Sequence, residues 1–146
     1  MTEAQVLLLP LAGDFYALPM ASVREVVTAP VVTRLVTAPG VVRGLFNLRG
    51  EVVPLFDTAV LLGLRAAGET TFAVVVEAVE GRTGLSATDL PMRGVLGAAA
   101  GESELPAAGG LFHVGDRVAA LLDVGKLLRP PRVGGPARSD LVEESL

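Results

Sequence analysis

Residues 44–62 of this chain recur 66 positions downstream without a gap. Gly44, Leu45 and Phe46 return as Gly110, Leu111 and Phe112, and Val52, Leu55, Asp57, Leu61 and Leu62 return as Val118, Leu121, Asp123, Leu127 and Leu128, so eight of the nineteen positions are identical. In a chain this rich in Ala, Val, Leu and Gly, roughly one or two identities would arise by chance, so the duplication predicts a molecule built from two related halves. The copies part where the first reads Asn47-Leu48-Arg49-Gly50 and the second His113-Val114-Gly115-Asp116. Both halves need a turn there, and only one places an arginine in it, which points to Arg49 as a functional residue. Asn47 and Gly50 bracket the turn, while the guanidinium is a planar, permanently charged fork suited to a partner's carboxylates and backbone carbonyls.

The chain has 146 residues, enough for one domain that buries about two-thirds of the surface its unfolded form exposes. Apolar runs of five to eight residues, rich in Val and Leu and separated by Gly, Pro, Asp or Thr, predict strands at 5–11, 15–19, 31–36, 41–46, 51–56, 71–79, 82–87, 94–97, 110–114 and 117–122. Gly13-Asp14 and Glu80-Gly81 read as hairpin turns, and Pro54 within a strand demands an edge position or an unpaired side. Helical signals are few. Ser22 is placed to cap a short turn through Val23–Val26, and Asp57 and Asp123 each follow a strand and precede an apolar pair, as the acidic caps of one-to-two-turn helices do. The fold class is therefore mostly β, two small barrels of similar construction with short helices. The Ala- and Gly-rich segment 98–110 reads as a loop. The packed domain is expected over 1–129, with 130–146 as a flexible tail, because Pro130-Pro131 and Gly134-Gly135-Pro136 end the apolar pattern.

Catalytic and cofactor chemistry find little support. There is no cysteine, which removes disulfides, a thiolate nucleophile and sulfur metal sites and suits a reducing cytoplasm. His113 is the single histidine, there is no phosphate-cradling glycine loop, and none of the five serines lies in a Gly-x-Ser-x-Gly context. A net charge of -4 with one lysine leaves no concentrated basic patch for nucleic acid. No apolar run approaches the roughly 18 residues of a membrane span, and the apolar start at Val6 has no basic residue before it, so neither membrane insertion nor a signal peptide is expected. A remote alternative is a small ligand-binding or hydrolytic barrel using Asp57, Asp89 or His113.

Several stretches together resemble the CheW family of chemoreceptor coupling proteins: Ala17-Leu18-Pro19, Val23-x-Glu25-Val26, Ala38-Pro39-x-x-Val42-x-Gly44, Asn47-Leu48-Arg49-Gly50 with Val52-Val53-Pro54-Leu55-x-Asp57, and Leu121-Leu122-Asp123-x-x-x-Leu127-Leu128. The resemblance implies two intertwined five-stranded barrels similar to SH3 barrels, no catalysis and no cofactor. It implies a cytoplasmic adaptor at membrane-associated arrays, bridging the cytoplasmic hairpin tip of a chemoreceptor to the regulatory domain of a CheA-like histidine kinase. The receptor tip would dock in an apolar groove between the barrels, with Val23 and Glu25 lining it, Gly44 allowing close backbone approach and Arg49 supporting the receptor-facing surface, either by touching the partner or by holding neighbouring backbone. The segment before Gly110 is shorter than is usual in the family and lacks an aromatic element expected there. A divergent paralogue that binds receptor but not kinase is the alternative this raises.

Overall fold

The computed structural model describes residues 3–37, 39–65 and 68–129. The expected tail, 130–146, lies outside the described residues, as does Ala38. In chain order the strands are β1 (Gln5–Leu11), β2 (Asp14–Pro19), β3 (Val23–Thr28), β4 (Val32–Thr33), β5 (Val42–Leu48), β6 (Glu51–Phe56), β7 (Phe72–Ala78), β8 (Gly81–Ala87), β9 (Met92–Val95), β10 (Ala99–Gly101), β11 (Ala108–Val114) and β12 (Arg117–Leu122). Two four-residue helices, α1 (Thr58–Leu61) and α2 (Val124–Leu127), follow β6 and β12.

The strands form two sheets with the same plan, each of six strands where five were expected, because the segments 23–33 and 92–101 are each broken into two strands. One runs β3-β7-β8-β6-β5-β4 and the other, in the corresponding direction, β9-β1-β2-β12-β11-β10. Each contains two antiparallel hairpins joined by one parallel pair, β6 with β8 and β12 with β2. The duplicated sequence is β5-β6-α1 and β11-β12-α2. The match extends to detail: Val42 pairs with Phe56 as Ala108 pairs with Leu122, and a register shift follows in both. The related units are not, however, the N- and C-terminal halves. The first is the continuous stretch 23–87, whereas the second takes its last hairpin, β1-β2, from the start of the chain. The first unit is thus inserted in the chain between the two parts of the second, and a common core joins them.

This arrangement explains the unbroken apolar runs. Alternate residues of one strand enter different cores, so strands between cores are apolar on both faces. In β7, Val74 and Val76 join the large cluster shared by both sheets, while Ala73 and Val75 join a smaller one with Phe46, Leu48, Val53 and Leu55. In β1, Leu7, Leu9 and Leu11 enter the shared cluster, and Val6 and Leu8 pack with Ala17, Val114 and Ala119.

Three expectations are corrected. Val23–Val26 is not a helical turn capped by Ser22; it opens β3, in which half-buried Val23, Glu25 and Val27 alternate with exposed Arg24, Val26 and Thr28. A period of two with β-branched residues is the strand signal, and it outweighs one serine at a potential cap. Segment 98–110 is not simply a loop, because β10 and the start of β11 lie within it, and His113 N donates to Ala98 O at 2.9 Å. The hairpin turns sit one residue earlier than expected, at Ala12-Gly13 and Val79-Glu80, since Leu11 pairs with Asp14 and Ala78 with Gly81. Pro54 meets its constraint: β6 is paired with β5 there, and its pairing with β8 begins at Leu55.

Candidate functional site

Arg49 and Gly50 form the two-residue turn between Leu48 and Glu51, which pair across β5 and β6. Both have positive φ, 51° and 91°, as the tight hairpin turns that follow strand twist require. Glycine adopts this conformation freely, but for a residue with a Cβ it costs about 1–2 kcal/mol. Asn47 steadies the turn by accepting a 2.9 Å hydrogen bond from the Gly50 amide. In the second copy Gly115, at φ 62°, begins the equivalent turn. An arginine is thus held where glycine would sit without strain.

The fork is not free to seek a partner's carboxylate. Arg49 Nη1 donates to Glu25 Oε2 at 3.0 Å and Nη2 to Oε1 at 2.5 Å, a two-point clamp from the β5-β6 turn to β3. The sequence expectation of an outward-reaching arginine is corrected on this point: its charge is matched within the chain, while two-thirds of the side chain stays accessible. The Arg49 hydrogen bonds hold the Glu25 carboxyl below the usual glutamate range, and Glu25 in turn raises the arginine. A carboxyl depressed in the folded state keeps its partner above its unfolded pKa and releases it as pH falls through the folded value. The clamp is therefore intact at neutral pH and opens only in acid. Glu25 should titrate below an ordinary glutamate by NMR and return toward the ordinary value in Arg49→Gly; an unchanged midpoint would contradict the clamp.

The other implied receptor residues divide. Val23, Glu25 and Arg49 border one shallow depression of about 190 Å³, with Leu48, Val75 and Arg82. This is not the groove between the two sheets. That groove, about 980 Å³, is bounded by Val52, Pro54 and Phe56 of β6, the β7-β8 turn and the α2 end of the second unit. Arg82 borders both, so the two lie side by side. Val23 also packs against the shared core, so a charge at 23 would disturb folding as well as any partner. Gly44 is buried, and the backbone it approaches is the chain's own: a Cβ there would stand 2.3 Å from Thr33 O.

Asp57 and Asp123 stand at the starts of the helices. Asp57 Oδ1 accepts from the Val60 amide at 3.2 Å and Asp123 Oδ1 from the Lys126 amide at 3.0 Å. Asp57 is also buried against Arg43, whose Nη1 donates to Oδ2 at 2.7 Å, a pairing sequence reading missed. Arg82 was missed too, although its pairing opposite Glu77 follows from counting outward from the Val79-Glu80 turn. It donates to Glu51 at 3.0 Å and lies 3.8 Å from Glu77. The residues of the hydrolytic alternative do not form a site: Asp57 is committed as described, Asp89 and His113 are exposed, and no three metal-ligating side chains converge among the described residues.

A family model described as the CheW-like domain matches residues 5–132. The chain belongs to the CheW-like family. That membership makes it a non-enzymatic coupling adaptor, in which surfaces carry the function and no reaction is performed. Over 56 residues it is 41% identical to the chemotaxis protein CheW of Helicobacter pylori, covering 38% of this chain and 34% of that protein. Over 137 residues it is 25% identical to the chemotaxis protein CheW of Klebsiella aerogenes, covering 85% of this chain and 81% of that one. The crystal structure of the scaffolding protein TtCheW from Thermoanaerobacter tengcongensis has the same fold, with a TM-score of 0.74 at 20% identity over 88% of this chain and 94% of that one. No helix of this CheW-like chain, among the described residues, is long and apolar enough to cross a membrane.

Proposed function

We propose that this chain couples the cytoplasmic hairpin tip of a chemoreceptor to the regulatory domain of a CheA-like histidine kinase, working in the cytoplasm at membrane-associated arrays. Each sheet serves as a small barrel, since segment 23–33 bonds to β7 at one end and β5 at the other, and segment 92–101 to β1 and β11 in the same way. The receptor surface comprises the Arg49–Glu25 clamp, with Val23 beside it, and the adjoining groove, while Gly44 serves it indirectly by letting β5 close on β4. The carrying observation is the strained arginine. Ala12 in the β1-β2 turn and Ala29 carry the same positive φ, but Arg49, where the other copy uses glycine, also spends its fork on a two-point clamp to β3, and strain kept together with such a contact is of the kind retained at working surfaces.

Arg49→Gly separates function from folding. The substitution removes the backbone strain, so stability should hold or rise by about 1 kcal/mol. Receptor-tip binding, measured by calorimetry, should fall about tenfold or more, because β3 loses its tie to the β5-β6 turn. Full binding by a stable Arg49→Gly variant would sink the assignment.

A receptor-only role is favoured by one observation. Exposed Ala99, Ala100 and Gly101 form the edge strand β10, and Glu102 follows them. Interfaces depend on a few desolvated anchors, commonly aromatic, and this stretch supplies none. Kinase binding through this edge should be weak, and grafting a longer loop from an ordinary family member should strengthen it. Tight binding of the unaltered chain to the isolated regulatory domain would restore the two-partner role.

A further inference from the structure

The two copies of the hairpin-helix unit treat the same aspartate differently. Asp57 divides its oxygens: one caps the helix and the other accepts from Arg43. Asp123 caps α2 in the same way, but the residue 66 positions after Arg43 is Gly109. The equivalence holds in three dimensions. The Asp57 amide donates to Val41 O at 2.7 Å and the Asp123 amide to Ala107 O at 2.8 Å, and Gly44 and Gly110, next in the chain after 43 and 109, share positive φ. Among the described residues no lysine or arginine pairs with Asp123. Asp123 is exposed, and both it and Gly109 line the groove between the sheets. A Cβ at Gly109 would meet nothing nearer than Leu121 O at 3.9 Å, so a side chain has room at this position of the groove that Asp123 also lines.

We propose that Asp123 and Gly109 form a guanidinium subsite in the inter-sheet groove, where an arginine of the docked receptor hairpin takes the place that Arg43 holds beside Asp57. The molecule itself supplies the template: a carboxylate with one oxygen on a helix amide and the other on an arginine. Glycine at 109 leaves room for a stem entering from outside, and arginine suits the site better than lysine because its fork donates in a fixed plane. Val52, Pro54 and Phe56 across the groove provide apolar cover, and the carboxylate would set the register of the partner. The identity of the partner rests on the adaptor reading; the subsite chemistry does not.

The test uses the full chain, NMR, and two probes: N-acetyl-arginine amide and its neutral analogue N-acetyl-citrulline amide. The arginine probe, and not the citrulline one, should shift amides around 109–111 and 123–126. The shifts should vanish in Asp123→Asn, which keeps the capping oxygen, and in Gly109→Arg, which fills the position from within. Binding of a receptor-tip hairpin should weaken about tenfold in Asp123→Asn. No arginine-specific shift in the wild type, shifts that persist in Asp123→Asn, or unchanged hairpin binding by that variant would each overturn the proposal. Arginine-specific shifts with no hairpin binding by the wild type would leave the subsite standing and remove the adaptor reading.

Discussion

Asp57→Ala is expected to lower stability by about 3 kcal/mol or more, whereas Asp123→Ala should cost about 0.5–2 kcal/mol. Both lose a helix cap of nearly the same geometry, so a difference between them must come from what surrounds the carboxylate. Asp57 is 2% exposed and pairs with Arg43 at 2.7 Å, while Asp123 is exposed and pairs with no cation among the described residues. Removing one member of a buried pair strips the other of its counter-charge where solvent can replace it only in part. Arg43 retains some solvent access, which keeps the expected cost near the lower end of the usual range. In thermal melts the Asp57 variant should fall by roughly 10 °C and the Asp123 variant by a few degrees. Equal shifts would mean that the caps alone matter and that the Arg43 pair adds nothing.

Gly44→Ala should be comparably damaging, at about 2–4 kcal/mol, through overpacking added to backbone strain. The new methyl would lie 2.3 Å from Thr33 O and 2.7 Å from Val32 Cγ1, at φ 149°. A carbonyl within β4 cannot turn aside unless β4 shifts away from β5. Gly110→Ala is the internal control. There φ is 123° but the nearest atom, Gly101 O, is 3.4 Å away, so strain persists with little collision and about 1–2 kcal/mol is expected. Denaturant midpoints for the two variants measure the difference. Any loss of receptor binding by Gly44→Ala should follow its unfolded fraction, since the close approach is internal; loss in a fully folded population would show that a partner touches residue 44.

Much of the architecture could be read from local chemistry. Alternation and β-branching located most strands, X-Gly and acidic turn residues marked the hairpins, and an aspartate between a strand and an apolar pair announced each short helix. The contrast of Arg49 with Gly115 needed only the repeat. These signals act over a few residues, where backbone sterics and hydrogen bonding decide the outcome.

Long-range pairing decided the rest. That β1-β2 completes the second unit depends on which edge of β12 accepts a parallel neighbour, a contact spanning about a hundred residues that no local pattern encodes. Glu25 and Arg49 lie 24 residues apart and meet only because β3 and the β5-β6 turn converge in the folded chain. The two aspartates show the division most clearly. In sequence they occupy the same motif, with Arg43 and Gly109 as an unremarked difference upstream. Folding sets that difference beside the carboxylates through the same irregularity of register in each copy, burying one aspartate against an arginine and leaving the other facing a groove.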